Sequence, residues 1–293
     1  MSLHKATLFT GVATALITPF SKGEIDYGAF AELIEQQIDA GVSALLVGGS
    51  TGECATLTPD ELHTLTAFAK EVIGNRIPLL AGCGSNSTKH AIELAESVSD
   101  AGADALLVVT PYYCKASDRG LILHYRAIAD RATRPLILYN VPSRTGVSLT
   151  LRHYRELSSH ENIIGVKEAS GDLSLLEALC AECGNELDVW TGNDTQTVAS
   201  MRLGAIGVIS VASNVLPHAM VELCRLLANK DHHTAEKRML SLRERIDALF
   251  GEVNPIPVKY VAAMKGLCAA EYRLPLCPPS PELARRLQSL FYS

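Results

Sequence analysis

One repeated unit leaves few folds open to this chain. A segment with helical spacing ends at a glycine, and a short unbroken apolar run follows. Ala40-Gly41-Val42-Ser43-Ala44-Leu45-Leu46-Val47 and Ala101-Gly102-Ala103-Asp104-Ala105-Leu106-Leu107-Val108 are near copies, and Leu203-Gly204-Ala205-Ile206-Gly207-Val208-Ile209 is a third version. The glycine suits the position just past a helix end. A run with no polar alternation reads as a strand covered on both faces, which is the habit of parallel sheets flanked by helices.

Taken in order, strands are expected at Gly11–Phe20, Ala44–Gly49, Ile77–Gly82, Ala105–Thr110, Leu136–Tyr139, Ile163–Lys167, Leu187–Thr191 and Gly207–Val211. Helices alternate with them, at Tyr27–Ala40, from Thr58-Pro59-Asp60-Glu61, at Thr88–Ala101, 119–131 and 150–158, from Leu173, after Asp194, and at Leu216–Leu227. Thr58 followed by proline and early acids is a strong helix start. Eight strand–helix units predict a parallel (β/α)8 TIM barrel over residues 1–228. A doubly wound open sheet is the competitor, because periodicity does not see closure. Beyond it, residues 229–293 carry helical patterns only, at Thr234–Phe250, Pro255–Leu267 and Pro281–Phe291. No low-complexity linker sets this segment apart, so it is expected to pack on the barrel or serve oligomer contacts. His232-His233 ahead of it reads as a solvated turn.

Composition narrows the function classes. Hydrophobic residues make up 47% and charged residues 20%, as in a soluble protein with a sizeable core. A net charge of −6 argues against nucleic acid or an anionic membrane as partner. No apolar run reaches the length of a spanning helix, and the start at Met1-Ser2-Leu3 lacks the basic-then-apolar pattern of a signal peptide. The eight cysteines are scattered through apolar segments and read as reduced, buried small hydrophobes. Cys180/Cys183 is an isolated CxxC on a helical pattern, and the nine histidines show no ligand spacing. A cytoplasmic protein with no metal and no cofactor is expected.

The residues that carry chemistry stand at strand ends. Asn162-Ile163-Ile164-Gly165-Val166-Lys167-Glu168-Ala169-Ser170-Gly171-Asp172 closes a buried strand with a lysine. Burial strips an ammonium of its hydration and lowers its pKa, which frees the amine to attack a carbonyl and form a Schiff base. The plainer reading is a lysine that leaves the strand and snorkels to water. In a barrel, however, the C-terminal strand ends share one face. That face would gather Ser50 and Thr51, Tyr112 and Tyr113, Tyr139, Lys167, Gly192 and Asn193, and Ile209, with Arg144 just past the fifth strand. Taken singly, Tyr139 reads as a packed tyrosine, Arg144 as a surface arginine and Glu53 as a turn brace. Taken together they offer an amine, proton-relaying hydroxyls and a guanidinium suited to a carboxylate.

Gly49-Ser50-Thr51-Gly52-Glu53, Pro111-Tyr112-Tyr113, Tyr139-Asn140-Val141-Pro142-Ser143-Arg144-Thr145-Gly146 and Gly165-Val166-Lys167-Glu168-Ala169-Ser170-Gly171-Asp172 resemble the dihydrodipicolinate synthase (4-hydroxy-tetrahydrodipicolinate synthase) family. The resemblance runs from about Gly11 through Asn254-Pro255-Ile256-Pro257-Val258-Lys259 to Arg273-Leu274-Pro275-Leu276. The lysine motif and the first glycine-rich turn belong to the wider group of Schiff-base pyruvate aldolases, whereas the Arg144 motif resembles the synthase branch. The resemblance implies condensation of pyruvate with L-aspartate 4-semialdehyde, a step toward diaminopimelate and lysine. It implies Lys167 as the Schiff-base lysine, Tyr139 and Thr51 as a proton relay, and Tyr113 completing that relay from a neighbouring subunit. Arg144 would bind the semialdehyde carboxylate. The Ser50/Thr51 turn would hold the pyruvate carboxylate, with Gly192, Asn193 and Ile209 lining the site. A homotetramer built as a dimer of dimers, without metal or organic cofactor, is implied as well. The alternatives are a related aldolase of the N-acetylneuraminate lyase or 4-hydroxy-2-oxoglutarate aldolase kind, or a silent binding paralogue. Asn86 and Tyr112 match a lysine-inhibitor cleft of some members. Pro59, Leu62 and His90 stand where lysine-sensitive members carry histidines and a glutamate, so weak feedback inhibition is expected.

Overall fold

The computed structural model describes residues 5–292, so the Met1-Ser2-Leu3 start read above lies outside the described residues. Eight parallel strands close on themselves: β1 Gly11–Ala15, β2 Ala44–Val47, β3 Leu79–Gly82, β4 Ala105–Val109, β5 Leu136–Asn140, β6 Ile163–Glu168, β7 Asp188–Thr191 and β8 Gly207–Ser210. β1 pairs with both β2 and β8, through Ala13↔Ala44 and Ala13↔Ile209 among others, which decides for the barrel over the open sheet. Between the strands run α1 Tyr27–Asp39, α2 Pro59–Ile73, α3 Thr88–Asp100, α4 Asp118–Arg131, α5 Leu151–Ser158, α6 Leu173–Cys183 and α7 Thr197–Arg202, and α8 Pro217–Ala228 follows β8. The start of α2 is a full capping box: Thr58 accepts from the Glu61 N–H while Glu61 accepts from the Thr58 N–H.

The apolar strands divide their side chains by parity. Leu136 and Leu138 of β5 join the layer between barrel and helices, with Phe30, Leu65, Tyr125 and Leu179. Ile137 and Tyr139 point into the barrel with Ala13, Leu46, Leu107, Trp190 and Ile209. Phe9 stacks on Trp190 inside this inner cluster, with ring centroids 4.6 Å apart. The Trp190 ring also lies where a side chain at Gly165 would stand, 2.6 Å from the Cβ position, so β6 carries glycine there.

Cys54, Cys114 and Cys277 are exposed rather than buried, so only part of the reading of the cysteines holds. Two further expectations need correction. The first strand does not continue to Phe20: it stops at Ala15, and Phe20–Ser21 forms a small antiparallel hairpin with Glu24–Ile25. Leu16 still donates to the Leu46 carbonyl, but the Ile17 N–H goes to Asn214 Oδ1, and Pro19 has no N–H to continue a ladder. His232-His233 is not a solvated turn. It opens α9 His232–Ala248, capped by Asp231, which accepts from the Thr234 N–H.

α9 is followed by α10 Ile256–Met264 and α11 Pro281–Phe291. Met239, Leu242, Ile246, Val258, Leu283 and Leu287 belong to the same apolar cluster as the barrel helices. Between α10 and α11 the chain returns to the end of the barrel at which the strands finish, where Arg273 pairs with Glu61 at 2.6 Å. Among the described residues, no helix is long and apolar enough to cross a membrane.

Candidate active site

Lys167 and Tyr139 are register partners on β6 and β5, so both side chains project inward at the same level. Lys167 is only 5% exposed, and its Nζ lies over the Tyr139 ring, 4.5 Å from the centroid. Burial lowers its pKa to about 8, against 10.5 ordinarily; Asp194 opposes this and the Arg144 cation adds to it. At pH 7 that leaves roughly 300-fold more free amine than an unperturbed lysine would have. Room for the side chain comes from Gly192, where a Cβ would stand 2.9 Å from Lys167 Cε.

Tyr139 is buried as well, and burial raises its pKa, while Arg144 and a hydrogen bond with Ser50 act in the opposite direction. A phenol in that setting stays protonated and can give or take a proton beside the amine. Ser50 and Thr51 sit on a helical turn, Ser50–Gly52, directly after β2. The turn is made possible by Gly48, whose φ of +62° suits glycine, and whose carbonyl lies 2.2 Å from the Cβ position at Gly82. Thr51 is buried, and its Oγ1 accepts from Asn254 Nδ2 at 3.1 Å.

Arg144 sits on a one-turn helix, Pro142–Thr145, at the rim. Its Nη2 donates to the Asn254 carbonyl at 3.1 Å. Tyr113 points away from the chain: it is 90% exposed and holds a φ of +71°, unusual for a side chain of that size. Ile209 lies within β8 with its side chain in the inner cluster.

A cavity of about 470 Å³ opens at this end of the barrel. Ser50, Tyr139 and Arg144 line it, whereas Thr51 and Lys167 do not; Lys167 lies against the ring of Tyr139, which does. Pro59, Leu62, His90 and Tyr112 line the cavity as well. Asn193 lies elsewhere, in an adjacent cleft of about 330 Å³ with Ser170 and Gln196, and its amide donates to Gln196 Oε1.

Sequence reasoning passed over three contributors. Asp194 is fully buried and accepts from Ser210 Oγ and from the Val211 and Ala212 N–H groups, tying the end of β7 to β8 beside Lys167. Asn254 joins Thr51 to Arg144. Lys259 of α10 pairs with Glu53 at 2.5 Å, both side chains 0% exposed, with Phe20 and Tyr272 flanking the ammonium. Glu53 does brace its turn, as expected, but its partners come from the far end of the chain: the Arg273 N–H is the other. Among the described residues, no cluster of three or more His, Cys, Asp or Glu side chains is placed to hold a metal ion.

This arrangement can form a Schiff base, and the sequence matches the dihydrodipicolinate synthetase family over residues 8–291. The chain belongs to that family. It is 47% identical over 283 residues to 4-hydroxy-tetrahydrodipicolinate synthase of Exiguobacterium sp., covering 96% of this chain and 97% of the relative. Its fold superposes on the crystal structure of dihydrodipicolinate synthase from Aquifex aeolicus with a TM-score of 0.95 at 40% identity, over 97% of each chain. A structure described as the first monomeric dihydrodipicolinate synthase variant also superposes, with a TM-score of 0.95 at 37% identity, over 97% of this chain and 96% of that one. Membership agrees with the resemblance read from the lysine and arginine motifs.

Proposed function

We propose that the chain is a 4-hydroxy-tetrahydrodipicolinate synthase, which condenses pyruvate with L-aspartate 4-semialdehyde by way of a Schiff base on Lys167. The observation that carries this reading is the buried Lys167 amine, set against the Tyr139 ring inside the barrel with Arg144 at the rim.

The chemistry follows from the groups present. The Lys167 amine attacks the ketone carbon of pyruvate. The resulting carbinolamine takes up one proton and loses water, giving an iminium. The iminium acidifies the pyruvate methyl group, which gives up one proton to form an enamine. That enamine attacks the aldehyde carbon, whose oxygen takes up a proton to become a hydroxyl as the iminium re-forms. The semialdehyde's own amine then attacks the iminium carbon and closes a ring; a proton passes from it to the lysine nitrogen, the carbon–lysine bond breaks to return Lys167 as the free amine, and the ring imine gives up its remaining proton. Tyr139, with Thr51 behind it, moves the protons. Arg144 holds the semialdehyde carboxylate, and the Ser50–Thr51 turn holds that of pyruvate, with Gly192 and Ile209 alongside. No step calls for a metal or an organic cofactor. Coupled turnover with pyruvate and L-aspartate 4-semialdehyde tests the reading, and activity only with a different aldehyde would overturn it.

Assembly belongs to the same reading. The exposure and outward course of Tyr113 support its use by a second copy of the chain, with a dimer as the smallest competent unit and a tetramer as the full assembly. Sedimentation tests this: a fully active monomer would contradict it.

A further inference from the structure

Asn254 stands just ahead of α10, in a segment that the sequence presents as helical packing. Its Nδ2 donates to Thr51 Oγ1 at 3.1 Å, across 203 residues of chain. Its main-chain carbonyl accepts from Arg144 Nη2 at 3.1 Å. The residue lines the cavity yet is only 7% exposed, and its Oδ1 is buried without a hydrogen-bond partner. Buried polar atoms are seldom left unpaired without a reason.

A threonine hydroxyl has one proton and two lone pairs. When an amide N–H occupies one lone pair, the hydroxyl proton must turn away from that amide. We propose that Asn254 is a positioning residue for the proton relay: by donating to Thr51 Oγ1, it keeps the Thr51 hydroxyl a donor toward the reacting side of the site. The inference rests on the reading of Thr51 as a relay member behind Tyr139. In each cycle one proton enters with the water that leaves the carbinolamine, and one returns from the pyruvate methyl carbon. An oriented Thr51 passes the first proton into the site, and the relay, short of that proton, takes up the second. The link to Arg144 runs through the Asn254 backbone, so the side chain and the main chain of one residue serve different halves of the reaction.

The test uses the full-length protein with pyruvate alone, following exchange of the pyruvate methyl protons for solvent deuterium by NMR. Asn254→Ala is expected to slow exchange roughly tenfold, the loss typical of one hydrogen bond. The KM for L-aspartate 4-semialdehyde should stay within about twofold, because the carbonyl that holds Arg144 remains. Asn254→Asp, of equal size but with no N–H to donate, should show the same slowing and serves if the alanine variant fails to fold. In a Thr51→Val background, Asn254→Ala should cause no further loss, since the hydroxyl it positions is gone. Wild-type exchange in the Asn254 variants, or a full multiplicative loss in the double variant, would overturn the proposal. If the wild-type protein neither exchanges the methyl protons nor forms a pyruvate adduct on Lys167, the Schiff-base reading itself falls and takes this inference with it.

Discussion

Tyr139 and Lys167 face each other across neighbouring strands, with the amine over the phenol ring at 4.5 Å from its centroid. The ring excludes water from the nitrogen on one side, and the hydroxyl at its far edge reaches toward the Ser50–Thr51 turn. One tyrosine therefore makes two kinds of contact: its face covers the Lys167 amine, and its hydroxyl meets Ser50.

Tyr139→Phe separates these contributions, because it keeps the ring and removes only the hydroxyl. Turnover should fall by about 10²–10⁴-fold, as for a lost acid–base group, while the melting temperature changes little. Turnover near the wild-type rate would remove Tyr139 from the relay.

Arg144→Ala should change two measurements. The KM for L-aspartate 4-semialdehyde should rise, because the carboxylate loses its guanidinium partner. The acid limb of the pH–rate profile should also move to higher pH. Burial is the main reason that the Lys167 pKa is lowered to about 8, and the Arg144 cation adds to it. Removing that cation lets the ammonium persist to higher pH, so less free amine is present at pH 7. A profile that stays in place would contradict the coupling.

Lys167→Met should abolish activity and raise the stability of the fold near neutral pH. A lysine titrating near 10.5 when unfolded and about 8 when folded costs the folded state roughly 3 kcal/mol below pH 8. That cost fades as pH rises from about 8 to 10.5, because above 10.5 both states hold a neutral amine. The melting temperature of the methionine variant should therefore exceed that of the wild type at pH 7, with a smaller difference at pH 10. A lower melting temperature at both would contradict it.

Inhibition by free lysine should be weak. Pro59, Leu62 and His90 are among the residues that line the cavity, and none offers a carboxylate to an effector's ammonium group. An activity titration decides: half-inhibition by sub-millimolar lysine would refute this.

The barrel was legible because each strand is buried on both faces, which leaves an apolar run bounded by turns. The same burial hides which side chains turn inward. Ile137 and Leu138 read alike in the sequence, yet one packs inside the barrel and the other against the helices. Lys167 and Tyr139 stood out because a polar group ending such a run is unusual, and Arg144 through the motif it shares with the family. Asp194 and Asn254 did not, since acidic and amide residues in turns are commonplace. Their importance appears only when the chain closes and brings Asp194 beside Lys167 and Asn254 against Thr51. The Glu53–Lys259 pair was hidden for the same reason, its partners lying 206 residues apart. Breaking either half of so buried a pair typically costs about 3–5 kcal/mol, so the C-terminal segment helps to hold the turn after β2 in place.

The most direct measurement is borohydride reduction of the protein in the presence of pyruvate, followed by peptide mass spectrometry. A single reduced pyruvate adduct is expected on Lys167, absent from Lys167→Met. An adduct on another lysine, or none at saturating pyruvate, would contradict it.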